Sequence, residues 1–236
     1  MSTAHTAIEV KPLSSNLRAL VDSYYAAQKA RISWGNRISA LERGRDVGED
    51  PKILQAKSYQ EEFQKLEEKA HDEILMELER YPVWSWLKTV KGIGPTLAGK
   101  LLCDIDIRKA ERISNLWSFA GQGLKDGKAQ RPVKGEKLPY STRLRTACFL
   151  VSRSFLMCRS PYARLYGEAK LYYAANRKDW TKLHIDLAAR RKMIKVFLSH
   201  LWLKWREAEG LPISMPYPIE HLEHHTHVYK PEDFAS

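Results

Sequence analysis

Apolar residues recur every three or four positions along most of the chain, and no stretch before the middle alternates apolar with polar as a half-exposed strand would. A first helix places Leu17, Leu20, Val21, Tyr24, Ala27, Ile38 and Leu41 along one face, with Ser14 or Ser15 as its cap and an end near Gly44. Asp46 to Asp50 reads as a turn around Gly48. Pro51 then suits the first turn of a second long helix carrying Ile53, Leu54, Phe63, Leu66, Ala70, Ile74, Leu75 and Leu78. The interleaved Glu and Lys of Glu61 to Lys69 predict the solvated face of a helical hairpin or coiled coil.

From Pro82 the elements shorten. Trp84 and Trp86 lie in one short helix, Pro95 to Cys103 form another, and Val90-Lys91-Gly92-Ile93-Gly94-Pro95 joins them. This spacing predicts a helix-hairpin-helix. Gly92 and Gly94 allow positive φ and close approach of a phosphate, Ile93 plugs the space between the helices, and Pro95 fits the first helical turn. The N–H groups at that helix start, at the positive end of its dipole, suit a phosphate oxygen. Ala98 is small where the helices must cross, and Leu87, Val90, Leu101 and Leu102 supply apolar contact.

Ser114 is placed to cap a short helix through Leu116, Trp117, Phe119 and Ala120 that stops at Gly121, and Gly121 to Pro139 reads as one long basic loop. Helix returns at Tyr140 or Ser141, with Leu144, Cys148, Val151, Phe155 and Cys158 inward. Pro161 breaks it and starts a tyrosine-rich helix with Tyr162, Tyr166, Tyr172 and Tyr173. A last helix from about Trp180 to Glu207 turns Leu183, Leu187, Ile194, Phe197, Leu198, Leu201 and Trp205 inward and Arg190, Arg191, Lys192 and Lys195 outward. The expected fold is all-α: an N-terminal helical hairpin or coiled coil over 1–80, a helix-hairpin-helix-containing helical domain over 81–210, and an irregular Pro- and His-rich tail over 211–236.

Charge changes this picture. The 236 residues carry a net charge of +11. Leu87 to Arg206 holds 26 Lys and Arg against 8 Asp and Glu, a surplus of 26 − 8 = 18, whereas Glu49 to Arg80 is acidic on balance. The positive charge therefore belongs to the part containing the hairpin, and an anionic partner follows. Cys103, Cys148 and Cys158 sit in apolar helical patterns and read as core residues in a reducing compartment. The N-terminal segment has no basic stretch leading into an apolar one, and no run is apolar enough to span a bilayer. The expected setting is cytoplasmic, nucleoid-associated in a bacterium.

The residues expected to meet a nucleic-acid backbone are Lys91, Gly92, Ile93, Gly94, Thr96 and Lys100 at the turn, Lys125, Lys128, Arg131, Lys134 and Lys137 in the loop, and Arg143 and Arg145 beyond it. Gly121 to Lys128 is no phosphate-binding P-loop, because Gly121 and Gly127 are one residue too far apart and Ala129 supplies no hydroxyl for magnesium. Asp104 and Asp106 could hold magnesium, but their place after a helix marks them as helix-terminal and turn residues. His221, His224, His225 and His227 could bind a metal, yet the prolines before them give no rigid frame. No cofactor is called for.

The helical hairpin, the Gly-Ile-Gly turn, Leu116-Trp117-Ser118-Phe119-Ala120-Gly121, the basic loop, and Leu144-Arg145 leading a helix together resemble the C-terminal domain of the insertion-sequence transposases that join a RuvC-like domain to a helical domain and use a bridge RNA. Ala188-Ala189-Arg190-Arg191 is similar to that family's closing helix. The resemblance covers Leu66 to Trp205 and implies DNA binding, recombination and transposition. It departs in two places: there is no room ahead of the hairpin for the carboxylate-bearing RuvC-like domain, and no serine lies between Gly121 and Pro139, where the family's nucleophile falls. Ser141 is the nearest hydroxyl. The expectation is a DNA-binding protein without strand-transfer activity, dimeric through its N-terminal helices, with room for a further protein partner. Two alternatives stay open: a recombinase using Ser141 or completed by a partner, and an RNA-binding protein stacking bases on Trp84, Trp86 and the tyrosines.

Overall fold

The computed structural model describes residues 14–43, 50–125, 128–129, 132–213 and 229–234. It is all-α apart from one minimal β-ladder. The helices are α1 (Ser14–Glu42), α2 (Pro51–Leu78), α3 (Trp84–Leu87), α4 (Pro95–Leu102), α5 (Ile113–Phe119), α6 (Thr142–Met157), α7 (Ala163–Asn176) and α8 (Lys182–Ala208). The chain divides into two compact units, Met1–Glu77 and Leu78–Ser236.

In the first unit α1 and α2 form an antiparallel hairpin. Asn16 bonds Glu77 at 3.3 Å, Arg31 meets Glu67 at 2.6 Å, Trp34 stacks on Tyr59 at 4.7 Å and Lys57 pairs with Glu42 at 3.6 Å, so contacts advance along α1 as they retreat along α2. Asp50 accepts the Lys52 N–H at 2.9 Å and Pro51 opens α2 without losing a bond. The buried row on α2 is Ile53, Ala56, Glu67, Ala70, Ile74 and Leu78, a spacing close to seven residues per two turns. Once that row faces α1, Leu54, Leu66 and Leu75 fall one position aside and stand exposed, contrary to their expected place inside. Glu67 is the reverse correction. Expected on the solvated face, it is buried in the seam. Burial alone would raise its pKa, but hydrogen bonds from Arg31 and Gln28 outweigh that and hold it below the ordinary value.

The second unit is built on α8, which packs against α5, α6 and α7, while α4 packs on α6. At its centre Phe155 stacks on Tyr162 at 4.9 Å and Phe197 meets both edge-on at 5.2 and 5.5 Å. The tail returns to this core: Pro231–Phe234 form a 3-10 turn that lays Phe234 on Tyr162 at 4.5 Å, and His200 bridges the Tyr162 hydroxyl (2.7 Å) and the Tyr229 carbonyl (2.9 Å). Burial pushes the His200 pKa down, so the imidazole is held neutral in the core.

Three local expectations are corrected. α8 is rotated from its expected setting: Leu183 and Leu187 are exposed, Ala188, Ala189 and Met193 take the buried face beside Ile194, Phe197 and Leu198, and Arg191 and Lys195 become half-buried. α5 starts at Ile113, with Arg112 in the extended N-cap position, so Ser114 lies inside the first turn rather than before it. The long loop contains an antiparallel pair, β1 (Leu124–Lys125) with β2 (Lys128–Ala129), where an irregular segment was expected. The end of α5 follows expectation: Gly121 at φ +66° lets its N–H reach the Ser118 carbonyl at 3.0 Å and that of Gln122 the Trp117 carbonyl at 2.8 Å, a Schellman cap.

Candidate nucleic-acid interface

The turn between α3 and α4 is set by two glycines with different duties. Gly92 has φ +99°, and a Cβ there would lie 2.8 Å from Cys158 Sγ and 3.2 Å from the Phe155 ring. The Ser154 hydroxyl donates to the Gly92 carbonyl at 2.6 Å, so α6 fastens the turn from behind. Gly94, which the sequence allows a positive φ, does not use it: it is extended, φ −90° and ψ 173°, as the N-cap of α4. A Cβ at Gly94 would have nothing within 4 Å, so its face opens to solvent.

Ile93, Leu87, Val90, Ala98, Leu101 and Leu102 are all buried, which makes the turn a rigid part of the core. Pro95 opens α4, and no side chain caps it. Its first N–H groups, those of Thr96 and Leu97, precede the first intrahelical bond, which runs from Ala98 N–H to the Gly94 carbonyl at 2.9 Å. Lys91 is exposed beside the turn, while Thr96 and Lys100 are half-buried. The site therefore presents amides without a bond to any described residue, a helix start, an open glycine face and a lysine together.

The basic residues expected around it are spread more widely. Lys134 and Lys137 are exposed, only the backbone of Lys125 and Lys128 is described, and Arg131 lies outside the described residues. Arg143 has a protein partner: its Nε bonds Asp104 Oδ1 at 3.2 Å, with the Asp104 side chain 4% exposed and that of Arg143 43%. Asp104 is thereby an ion-pair partner, and Asp106 is a turn residue that accepts the Arg108 N–H at 3.2 Å and pairs with Lys109 at 3.2 Å. Arg145 lies with its guanidinium carbon 4.8 Å from the Tyr140 ring.

Ser141 caps α6, accepting the Leu144 N–H at 3.2 Å, while its own N–H donates to the Phe119 carbonyl at 2.8 Å. Ser141→Ala is expected to cost about 0.5–2 kcal/mol as a lost cap and to leave nucleic-acid binding nearly intact. Urea titration with a mobility-shift assay checks both, and loss of a serine-linked DNA adduct in this variant would contradict the capping role as its whole function.

His221, His224, His225 and His227 lie outside the described residues. Among the described residues no group of three His, Cys, Asp or Glu is arranged to hold a metal ion. Trp84 is buried with its Nε1 bonded to Glu79 at 3.0 Å, and Trp86 lies beside Phe197, so neither stands free as a stacking platform. No described helix is long and apolar enough to cross a membrane.

Two sets of residues escaped the sequence. Arg159 is exposed and occupies the left-handed region at φ +52° directly after Cys158, which packs against the Gly92 turn. Arg191 and Lys195, expected on an outward face, are instead half-buried. Lys195 Nζ sits 3.9 Å from the Trp117 ring centre. The local signal for the second set was Arg-x-x-x-Lys at one-turn spacing, which periodicity alone assigns to solvent. In comparisons with known proteins, no family model and no curated sequence matched this chain.

Proposed function

We propose that this chain binds DNA through the phosphate backbone, with the α3–α4 turn as the gripping element and the basic loop extending the track. The observation that carries the reading is the open face of Gly94 above the uncapped start of α4, on a turn held rigid by Phe155, Cys158 and Ser154. A phosphate oxygen approaching there meets N–H groups already oriented, at little entropic cost. The charge surplus of the same region supplies steering and counterion release. Such contacts position the protein without reading sequence. In this reading the chain is related to the helical domain of insertion-sequence transposases and performs no strand transfer of its own, because Ser141 is occupied as a helix cap.

Gly94→Val tests the reading directly. Its extended backbone and empty surroundings accept a side chain, so the fold should lose no more than about 1 kcal/mol, as for a poorer N-cap. The isopropyl group would stand where the phosphate must come, and duplex affinity should fall roughly ten- to a hundredfold, the worth of one or two charge-assisted hydrogen bonds. Lys91→Ala should weaken binding evenly across sequences and flatten the slope of log affinity against log salt by about 0.9. A folded Gly94→Val protein that binds duplex like the parent, with the parent's salt slope, would sink the proposal.

A further inference from the structure

Half-buried cations without a counter-ion among the described residues need a reason, and α8 carries two of them one turn apart. Arg191 has its Nε fully enclosed with no hydrogen-bond partner among the described residues. Lys195 makes no ion pair with a described carboxylate: its ammonium rests on the Trp117 ring at 3.9 Å, and the Trp117 indole N–H donates to the Lys195 backbone carbonyl at 3.0 Å. The acidic residue of α8 nearest in sequence, Asp186, is already engaged by Arg190 at 2.7 Å and by the Tyr166 hydroxyl.

A third cation acts on Arg191. Arg145 comes from the first turns of α6, with its Cδ within 3.1 Å of where a Gly121 Cβ would lie and its guanidinium beside Tyr140. Arg145 thus stands beside the end of α5, close enough to Arg191 for the two charges to repel. Burial, followed by repulsion from Arg145, lowers the Arg191 pKa, and burial followed by repulsion from Arg191 lowers that of Lys195. Against these, the Tyr173 phenol favours the Arg191 charge. A fold gains nothing by gathering such charges for packing alone, since apolar residues of similar volume would cost less. An oxyanion at the half-exposed ends of the Arg191 and Lys195 side chains would offset the mutual repulsion.

We propose that Arg191, Lys195 and Arg145, floored by Trp117, form a phosphate-binding pocket separate from the Gly92–Gly94 turn. In the DNA-binding reading, on which this assignment of source rests, the phosphate is one of the nucleic-acid backbone and the pocket is a second anchoring point. A free phosphate compound offers the same chemistry.

The experiment uses the full chain, its Arg191→Met and Lys195→Met variants, and Gly94→Val as a reference. Thermal unfolding is followed in sodium phosphate and in sodium chloride of equal ionic strength. The parent should show a saturable rise in Tm specific to phosphate, and both Met variants should lose it. Arg191→Met should also melt higher than the parent in chloride, because it removes an uncompensated charge. Calorimetric titration with inorganic phosphate should show at least about a tenfold loss of affinity in each Met variant, one charge-assisted contact's worth.

Duplex binding against salt then assigns the source. A slope flatter by about 0.9 in Arg191→Met places a backbone phosphate in the pocket. A phosphate response in the parent, with a duplex slope unchanged in Arg191→Met and a duplex affinity still lowered in Gly94→Val, assigns the pocket to a free phosphate compound. The same response in a parent that binds no duplex keeps the pocket and removes the DNA-binding reading. The proposal is overturned if the parent's response to phosphate equals its response to chloride, or if the Met variants keep the full phosphate response. Should Arg191→Met fail to fold, Lys195→Met, whose Nζ donates to no described group, decides the matter on the same readings.

Discussion

Gly92→Ala should destabilise the second unit by about 2–5 kcal/mol, far more than the same change two residues later. Two costs add. A left-handed backbone conformation costs a residue with a Cβ roughly 1–2 kcal/mol, and forcing a methyl into packed surroundings costs about 1–3 kcal/mol more. Gly92 meets both conditions, with φ +99° and a virtual Cβ 2.8 Å from Cys158 Sγ, whereas Gly94 meets neither. The measurement is a pair of urea titrations on Gly92→Ala and Gly94→Ala with the full chain, and equal midpoints would refute the assignment of duties. Adding Cys158→Ala to Gly92→Ala should recover part of the loss by removing the sulfur, while the φ cost stays. Because Ser154 and Phe155 press on the same turn, the variant should also disorder the start of α4 and weaken duplex binding indirectly. Gly92 thus tests the support of the site, and Gly94 tests its face.

That division was not readable from Gly-Ile-Gly. Glycine is equally at ease at φ +99° and −90°, so the spacing announces a tight turn without saying which glycine is strained. What could be read was the part written in side-chain volume and period: Ile93 as plug, Ala98 at the crossing, Pro95 at the first turn of α4, and the run of short helices between longer ones. Those features follow from local geometry. The misreadings share a different cause, because each depended on which neighbour lies across an element. Leu54, Leu66 and Leu75 look like seam residues until Ile53, Ala56 and Ala70 occupy the seam. Leu183 and Leu187 likewise resemble the core face of α8 until the helix turns to place Met193 and Phe197 inside.

Charged residues show the same limit more sharply. Glu67 reads as solvated and is paired with Arg31 within the hairpin seam; Arg191 and Lys195 read as outward and are half-buried, Lys195 against Trp117 of α5. A one-dimensional pattern gives solvent to every charge by default, because burial of a charge is favourable only with a partner that the pattern does not reveal. Arg159 at φ +52° is the backbone counterpart: it ends α6 in the position where glycine is the usual signal, with the Ser160 N–H reaching the Phe155 carbonyl at 2.9 Å.

Arg206→Met should lower stability by about 2–4 kcal/mol, the opposite sign to Arg191→Met, although both replace an enclosed guanidinium near the same helix. The difference is in what each group satisfies. Arg206 is 4% exposed, and its Nε donates to the Pro212 carbonyl at 2.7 Å while one terminal nitrogen donates to the Ile107 and Ala110 carbonyls at 3.0 and 3.1 Å. Trp202 adds an indole N–H to Ala110 at 2.6 Å. Methionine would fill the volume but leave the Ile107 and Pro212 carbonyls without this donor. A hydrogen bond to a charged group contributes about 1.5–3 kcal/mol, and the loss of three is partly offset by no longer burying a charge and by the bonds that remain, from the Ala110 N–H to the Ile107 carbonyl at 3.2 Å and from the Trp202 indole to Ala110. Arg206→Lys should fall between, since one ammonium cannot reach in both directions as the planar guanidinium does. Urea titration gives the stability, and amide hydrogen exchange at 107–112 should quicken in Arg206→Met before the rest of α8 does. A variant as stable as the parent, with unchanged exchange there, would show that the three carbonyls find other donors. The segment Arg206 holds runs from the end of α4 to the start of α5, so it links the turn that faces Gly94 to the helix that carries Trp117; loosening it should reduce binding at both places without touching a residue of either.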